Sequence, residues 1–153
     1  MKKFFLFISF IAVLNANDIS KKVVFDLTSG DIKTFERKVL SGIVNIKSYY
    51  ESNFQDLEVA VVIHGDAYKY FVNDPSISPF KSDKTLINEH KQLKTRLESL
   101  SDIYDVKFFM CDYKRKKLGI KKENLYKFVQ LVPNSTIGLI DKGNEGFAYI
   151  PIH

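Results

Sequence analysis

The chain has 153 residues, a formal net charge of +5 and one cysteine, Cys111. This length fits a single domain, and the lone cysteine excludes an intramolecular disulfide. The excess of positive charge is modest, and setting aside Lys2 and Lys3 leaves +3. Composition therefore does not indicate a nucleic-acid-binding protein.

The N-terminus has the three parts of a secretory signal peptide. Two lysines follow Met1, an apolar run extends from Phe4 to Leu14, and the small residue Ala16 marks a cleavage site. We expect removal of residues 1–16, which leaves one exported, periplasmic domain at 17–153. The apolar run has 11 residues, fewer than the roughly 20 that a membrane-spanning helix needs. An uncleaved anchor is the alternative, because Leu14 is larger than the alanine preferred before the cut.

The first predicted elements of this domain are a strand and a long helix. Residues 22–27 are apolar, β-branched and aromatic, and they stop at the turn and cap residues Thr28 to Asp31. A stripe at spacings of three and four residues then predicts one face of a helix: Phe35, Val39, Ile43, Ile46 and Tyr50.

A second strand and a second long helix follow. Residues 57–63 are almost entirely apolar, as a strand covered on both faces should be, and they end at His64-Gly65-Asp66. Residues 67–72 are predicted to form a short helix. A leucine-rich pattern from about Thr85 to Leu100 predicts the second long helix.

The last third of the chain starts with a predicted strand at 105–110, which leads directly to Cys111 and the basic run Lys114 to Lys117. A short helix is predicted at 122–131. Further strands are predicted at 135–140 and 147–150. The six-residue link between these two strands is too short for a parallel crossover, so they are expected to form an antiparallel hairpin.

Alternating strands and helices predict the α/β class: a flavodoxin-like, three-layer sandwich with a mostly parallel five-stranded sheet. In such sheets, ligands and chemistry gather outside the carboxyl ends of the strands. The turn Thr28 to Asp31, the turn His64 to Asp66 and Cys111 all fall at this edge.

Cys111 is the leading candidate for chemistry. A helix N-terminus and the basic residues Lys114 to Lys117 would both favour its reactive thiolate. On this interpretation the thiol is accessible and reactive. The alternative is a buried cysteine that fills space at the end of a strand, since free cysteine is among the most buried residue types.

His64 and Asp66 flank Gly65, and a turn permitted by this glycine could direct both side chains into one cleft beside Cys111. There the imidazole would act as a base or a proton donor, oriented by the aspartate. In the alternative interpretation, Asp66 caps the next helix and His64 bonds a nearby carbonyl.

The turn after the first strand is a candidate binding loop, with Ser29, Gly30, Asp31 and also Gly65 as its candidate residues. It lacks the glycine pattern and the lysine of a phosphate-binding loop, so a nucleotide or flavin cofactor is disfavoured. No spacing rule unites His64, Cys111 and His153, and we predict no metal and no cofactor.

Four segments together carry a family resemblance: Val23 to Asp31, Val59 to Tyr68, Met110-Cys111 and Gly146 to Pro151. With these the chain resembles the DsrE/DsrF-like sulfur-relay family, in a branch of small exported proteins. The resemblance implies a five-stranded α/β sandwich, assembly into homo-oligomers and a persulfide on a cysteine after the third strand. Cys111 matches that position.

Two functional hypotheses follow. The first is an exported sulfur carrier, similar to a sulfurtransferase, that uses Cys111 and an unidentified sulfur donor and acceptor. The second is a non-catalytic oligomeric protein that binds a small ligand or a partner at the carboxyl edge of the sheet. Neither hypothesis involves nucleic acid or a stable membrane span after signal cleavage.

Overall fold

A computed structural model describes residues 20–153, so the predicted signal peptide at 1–16 lies outside the described residues. Within the described part, five strands form one sheet in the order β4-β3-β2-β1-β5, and every neighbouring pair is parallel. The strands are β1 (Lys21–Leu27), β2 (Leu57–Ile63), β3 (Lys107–Cys111), β4 (Val129–Val132) and β5 (Ala148–Ile152).

The first long helix is continuous but changes its winding. It consists of α1 (Ile32–Thr34), a π-helical segment (Phe35–Ser41) and α2 (Gly42–Ser52). The remaining helices are α3 (Lys84–Asp102), α4 (Asp112–Lys117) and α5 (Ser135–Asn144). Short 3₁₀ turns occupy Ala67–Phe71, Pro75–Ile77 and Lys122–Asn124.

Both faces of the sheet are covered, and one of the two cores is larger than the other. Alternate residues of each strand point to opposite faces. Val23, Phe25 and Leu27 of β1 belong to the larger core, which includes buried residues of the first long helix and of α3. Val24 of β1 belongs to a smaller core on the opposite face, against which Leu139 of α5 packs. The protein is therefore a three-layer sandwich with α5 alone among the long helices on its second face.

The order of the strands explains this distribution of helices. From β1 to β4 the chain steps across the sheet in one direction, and from β4 it returns across the whole sheet to β5. Crossovers between parallel strands are right-handed, so a reversal of direction moves the connecting helix to the other face. Helix α5 makes that return.

The structure confirms the α/β class, the five-stranded sheet and the first three strands, but the prediction for residues 122–140 is wrong. Residues 122–131, predicted as a helix, form one 3₁₀ turn and then β4. Residues 135–140, predicted as a strand, belong to α5. This helix starts there because Oδ1 of Asn134 accepts a hydrogen bond from the Ile137 N–H at 2.9 Å.

The predicted C-terminal antiparallel hairpin is also wrong. Strand β5 pairs in parallel with β1, with Val23 opposite Ala148 and Leu27 opposite Ile152. The connection that precedes β5 contains all of α5 and is long enough for a parallel crossover. Across residues 20–153, no helix has the length and apolar character needed to cross a membrane.

Candidate functional site

The loops after β1 and β2 pack against each other at the carboxyl edge of the sheet. The Asp66 N–H donates to the carbonyl of Thr28 at 2.9 Å. Between these loops Gly65 has a φ of +62°, and a Cβ at this position would lie 2.7 Å from the Thr28 carbonyl oxygen. Both the backbone conformation and the close approach therefore require glycine here.

A hydrogen-bonded cluster joins three strands at this edge. Asp26 of β1 is only 6% exposed, and both of its carboxylate oxygens accept hydrogen bonds. Oδ2 accepts a hydrogen bond from the Tyr149 hydroxyl at 2.6 Å, and Oδ1 accepts one from Nε2–H of His64. The bond to this carboxylate, with some burial, raises the pKa of Tyr149. We call Asp26, His64 and Tyr149 the carboxylate cluster.

The sequence analysis singled out His64 but missed Asp26 and Tyr149. One signal was available: Asp26 is an ionisable residue in an otherwise apolar strand, and such residues are almost never buried without a partner. Its two partners lie on β5 and directly after β2. Both are far from Asp26 in the sequence, so no local sequence pattern identifies them.

Asp66 does not share the position of His64. Its side chain lies against the loop after β1, where a Cβ on Gly30 would be 2.7 Å from the Cβ of Asp66. It also makes no capping hydrogen bond to the 3₁₀ turn that follows. The structure therefore does not bring Asp66 to the imidazole that it was expected to orient, and it is not the helix cap of the alternative interpretation.

The predicted binding loop caps its own helix. Oδ2 of Asp31 accepts a hydrogen bond from the Thr34 N–H at 2.7 Å, and this bond lowers the pKa of Asp31. Ser29 Oγ accepts from the Asp31 N–H at 3.3 Å, and the Gly30 carbonyl accepts from the Tyr70 hydroxyl at 2.6 Å. Beside this loop lies a cavity of about 220 Å³, lined by residues that include Gly30, Asp31, Lys69 and Asp83.

Cys111 ends β3 and is only 4% exposed. It belongs to the larger core, and its carbonyl accepts a hydrogen bond from the buried Tyr68 hydroxyl at 2.9 Å. The expectation of an accessible thiol is therefore wrong for this conformation. His64 bonds Asp26 on β1, which adjoins β2 on the side away from β3, so the imidazole is directed away from the strand of Cys111.

The basic run after Cys111 is partly neutralised by Asp112. The Arg115 guanidinium, in a residue only 8% exposed, donates to Oδ1 of Asp112 at 2.7 Å and also to the Ile120 carbonyl. Lys116 lies 2.7 Å from Oδ2 of Asp112, and its bond is the largest cause of the lowered pKa of Asp112. Two of the four basic residues in this run, Arg115 and Lys116, are therefore paired with Asp112.

The ends of β3 and β4 form a topological switch point. The connection after β3 packs into the larger core through Ile120, Leu125 and Tyr126, whereas the connection after β4 is α5 on the opposite face. Cys111 and Val132 are paired at these two strand ends. Open α/β sheets bind ligands in the crevice where neighbouring connections leave on opposite faces. Cys111 ends one of the two strands that meet at this switch point.

Comparison with known proteins identifies the fold family. A sequence model described as the DsrE/DsrF-like family matches residues 21–152. The chain belongs to the DsrE/DsrF-like family. Among residues 20–153, no three His, Cys, Asp or Glu side chains come together in a group that could hold a metal ion.

One relative and one solved structure resemble this DsrE/DsrF-like chain over most of its length. An uncharacterized protein of Aquifex aeolicus (strain VF5) is 32% identical over 152 residues, which are 99% of this chain. The chain spans 64% of the length of that relative. The structure of a protein of unknown function from Methanobacterium thermoautotrophicum matches with a TM-score of 0.55 and 21% identity, over 86% of this chain and 99% of the other. The second likeness supports the fold alone.

Proposed function

We propose that this protein carries sulfur as a persulfide on Cys111 and passes it from an unidentified donor to an unidentified acceptor. Membership of the DsrE/DsrF-like family supports a sulfur-relay role. The observation that carries the proposal is the position of Cys111 at the switch point between β3 and β4. This is where an open α/β sheet places its chemistry.

Loading of Cys111 needs only a thiolate and a sulfur donor. The thiolate attacks the outer sulfur of an inorganic polysulfide, and a new S–S bond forms at Sγ. The S–S bond of the donor breaks, and the shortened polysulfide leaves with the electron pair. Because Cys111 is almost fully buried, a small donor of this class reaches Sγ with less rearrangement than a cysteine on another protein would need.

Intact-mass measurement tests this proposal directly. Native protein treated with polysulfide should gain the mass of one sulfur atom, and a reductant should remove it. The C111S variant should gain nothing while keeping its circular dichroism spectrum, since a buried hydroxyl costs about 1–3 kcal/mol. Modification that occurs only in denaturant would identify Cys111 as a packing residue and overturn the proposal.

The proposal includes export and self-association. Export rests on the sequence pattern of residues 1–16, and N-terminal sequencing of extracytoplasmic material that still began at Met1 would contradict it. Self-association rests on the family resemblance and on the exposed side chains of Tyr149 and Ile150 in the edge strand β5. Light scattering at tens of micromolar should give a mass above that of one chain.

A ligand-binding function is the second candidate, and one observation favours it. The cavity of about 220 Å³ beside Gly30 and Asp31 includes Lys69, which lies 3.1 Å from Asp83. A small charged ligand could replace Lys69 or Asp83 as the partner in this ion pair. Non-denaturing mass spectrometry of freshly purified protein separates the two functions, because a bound ligand is lost on denaturation and a persulfide is lost only on reduction.

A further inference from the structure

The positive charge of this protein is concentrated in one segment. Residues 112–127 contain seven basic and two acidic side chains, a net charge of +5 that equals the formal net charge of the whole chain. The remaining residues are balanced. Such a one-sided distribution creates a local positive potential that attracts acidic molecules. The segment begins immediately after Cys111, at the switch point.

The fold holds this segment in one compact unit. The Gly119 N–H donates to the Lys116 carbonyl at 3.0 Å, and the Ile120 N–H donates to the Arg115 carbonyl at 3.2 Å. The buried Arg115 side chain ties Asp112 to Ile120, as described above. The exposed cations of the unit are therefore displayed from a fixed backbone.

Four exposed lysines between residues 112 and 122 of this unit are free to meet a partner. In the part of the chain that the structure describes, none of them forms an ion pair with an acidic side chain. The four are Lys114, Lys117, Lys121 and Lys122, and together with Tyr113 we call them the α4 surface. Tyr113 is 58% exposed, and the Lys117 ammonium lies 4.5 Å from the centre of its ring.

We propose that the α4 surface docks an acidic protein, the sulfur acceptor of Cys111, so that the partner is recognised beside the strand end at which Cys111 lies. This inference rests on the proposed function. Exposed tyrosine is enriched at protein interfaces, and lysines around it provide charge complementarity to a carboxylate-rich patch.

The composition of the surface favours a protein over nucleic acid or membrane. The segment's one arginine is buried and bonded to Asp112, so it is not available for the bidentate contact that favours phosphate groups. A single exposed aromatic ring provides little for stacking on successive bases. Helix α4 has six residues and no apolar face of the kind that inserts into a lipid surface.

The experiment measures fluorescence anisotropy of three labelled probes with the full protein at equal ionic strength. The probes are a decaglutamate peptide flanked by two tyrosines, a single-stranded DNA of the same charge and phosphatidylserine-containing vesicles. The peptide should bind most tightly, and its affinity should fall as salt is raised toward 0.15 M, where the Debye length is about 8 Å.

Two charge-matched variants locate the binding. The triple variant K114E/K117E/K121E should lose about tenfold or more of its peptide affinity. The control K33E/K38E/K91E reverses three exposed lysines on the first long helix and α3, and it should lose less than about threefold.

Each other outcome overturns the proposal. Equal losses in both variants would mean that only net charge matters, and tighter binding of DNA or vesicles would assign a different partner. No binding of any probe would exclude the α4 surface. Because C111S should bind the peptide as the wild type does, and because polysulfide loading needs no lysine, failure of docking and failure of the sulfur-carrier function are distinguishable.

Discussion

The carboxylate of Asp26 accepts a hydrogen bond from the hydroxyl of Tyr149 at 2.6 Å, although the two residues lie 123 positions apart in the chain. The bond connects β1 to the edge strand β5. Because a neighbouring carboxylate disfavours the tyrosinate, the pKa of Tyr149 is raised.

The D26N substitution should therefore lower the pKa of Tyr149 toward the value of about 10 for free tyrosine. An NMR titration of ring-labelled tyrosine measures this, with Y149F to assign the resonance. An unchanged titration midpoint in D26N would show that the carboxylate does not control this hydroxyl.

Alanine substitutions at Gly65 and Gly119 test the turn between β2 and the following 3₁₀ segment. Gly65 lies in that turn, and Gly119 is the control. Both have positive φ, but a Cβ at Gly119 meets no atom within 4 Å, whereas one at Gly65 meets the Thr28 carbonyl. G119A should cost about 1–2 kcal/mol of unfolding free energy from backbone strain alone. G65A should cost about 1–3 kcal/mol more because of the clash. Urea unfolding of both variants decides this, and equal costs would contradict the close packing of the two loops.

Asp83 caps α3, and its pKa is lowered by the hydrogen bond from the Leu86 N–H and by Lys69. Its contribution to stability is thus present above the unfolded pKa of about 3.9 and is lost as pH falls through the lower folded pKa. D83A should cost about 1 kcal/mol at neutral pH and less in acid. D66A removes a carboxylate that caps nothing and should change stability by less than about 0.5 kcal/mol. Thermal unfolding between neutral and acid pH measures both, and a pH-independent loss in D83A would contradict the cap.

Arg115 holds the turn after α4 through its bonds to Asp112 and to the Ile120 carbonyl. R115M should cost about 1–3 kcal/mol, since it leaves one oxygen of the Asp112 carboxylate and the Ile120 carbonyl without their donor. K114M, one position earlier and exposed, should cost less than about 0.5 kcal/mol. Denaturant unfolding gives the comparison, and similar values for the two variants would mean that the buried guanidinium does not stabilise this turn.

The sequence was sufficient for elements with a long or uniform pattern. The stripe from Phe35 to Tyr50, the apolar run 57–63 and the leucine-rich helix α3 were all predicted, because each buries a face whose periodicity extends over several turns or a whole strand. Even so, the π-helical winding of Phe35–Ser41 left no signal in that stripe.

Residues 122–140 could not be assigned by the same reasoning. The segment 135–140 is short, apolar and rich in β-branched residues. Periodicity alone cannot decide whether such a segment is a strand or a helix. The deciding features are the Asn134 cap and the packing of Leu139 over the smaller core. Once this segment is a helix, β4 must come before it and the hairpin disappears.

The sequence predicted which edge of the sheet carries these loops, but not the contacts between their side chains. The carboxyl edge and its three loops follow from the alternation of strands and helices. His64 pairs with Asp26 rather than with Asp66, and this choice depends on which face of β1 is less completely covered. The burial of Cys111 depends on the tertiary packing around Tyr68.

The pairing of β1 with β5 has a consequence for folding of the newly made chain. One side of β1 pairs with β2, which is synthesised soon afterwards, but the other side stays unpaired until β5, more than 120 residues later in the chain, is available. An unpaired strand edge can pair with other chains, and contacts between distant residues form slowly. The sheet therefore cannot close until β5 has been synthesised, and truncation before residue 148 would leave one side of β1 open to aggregation.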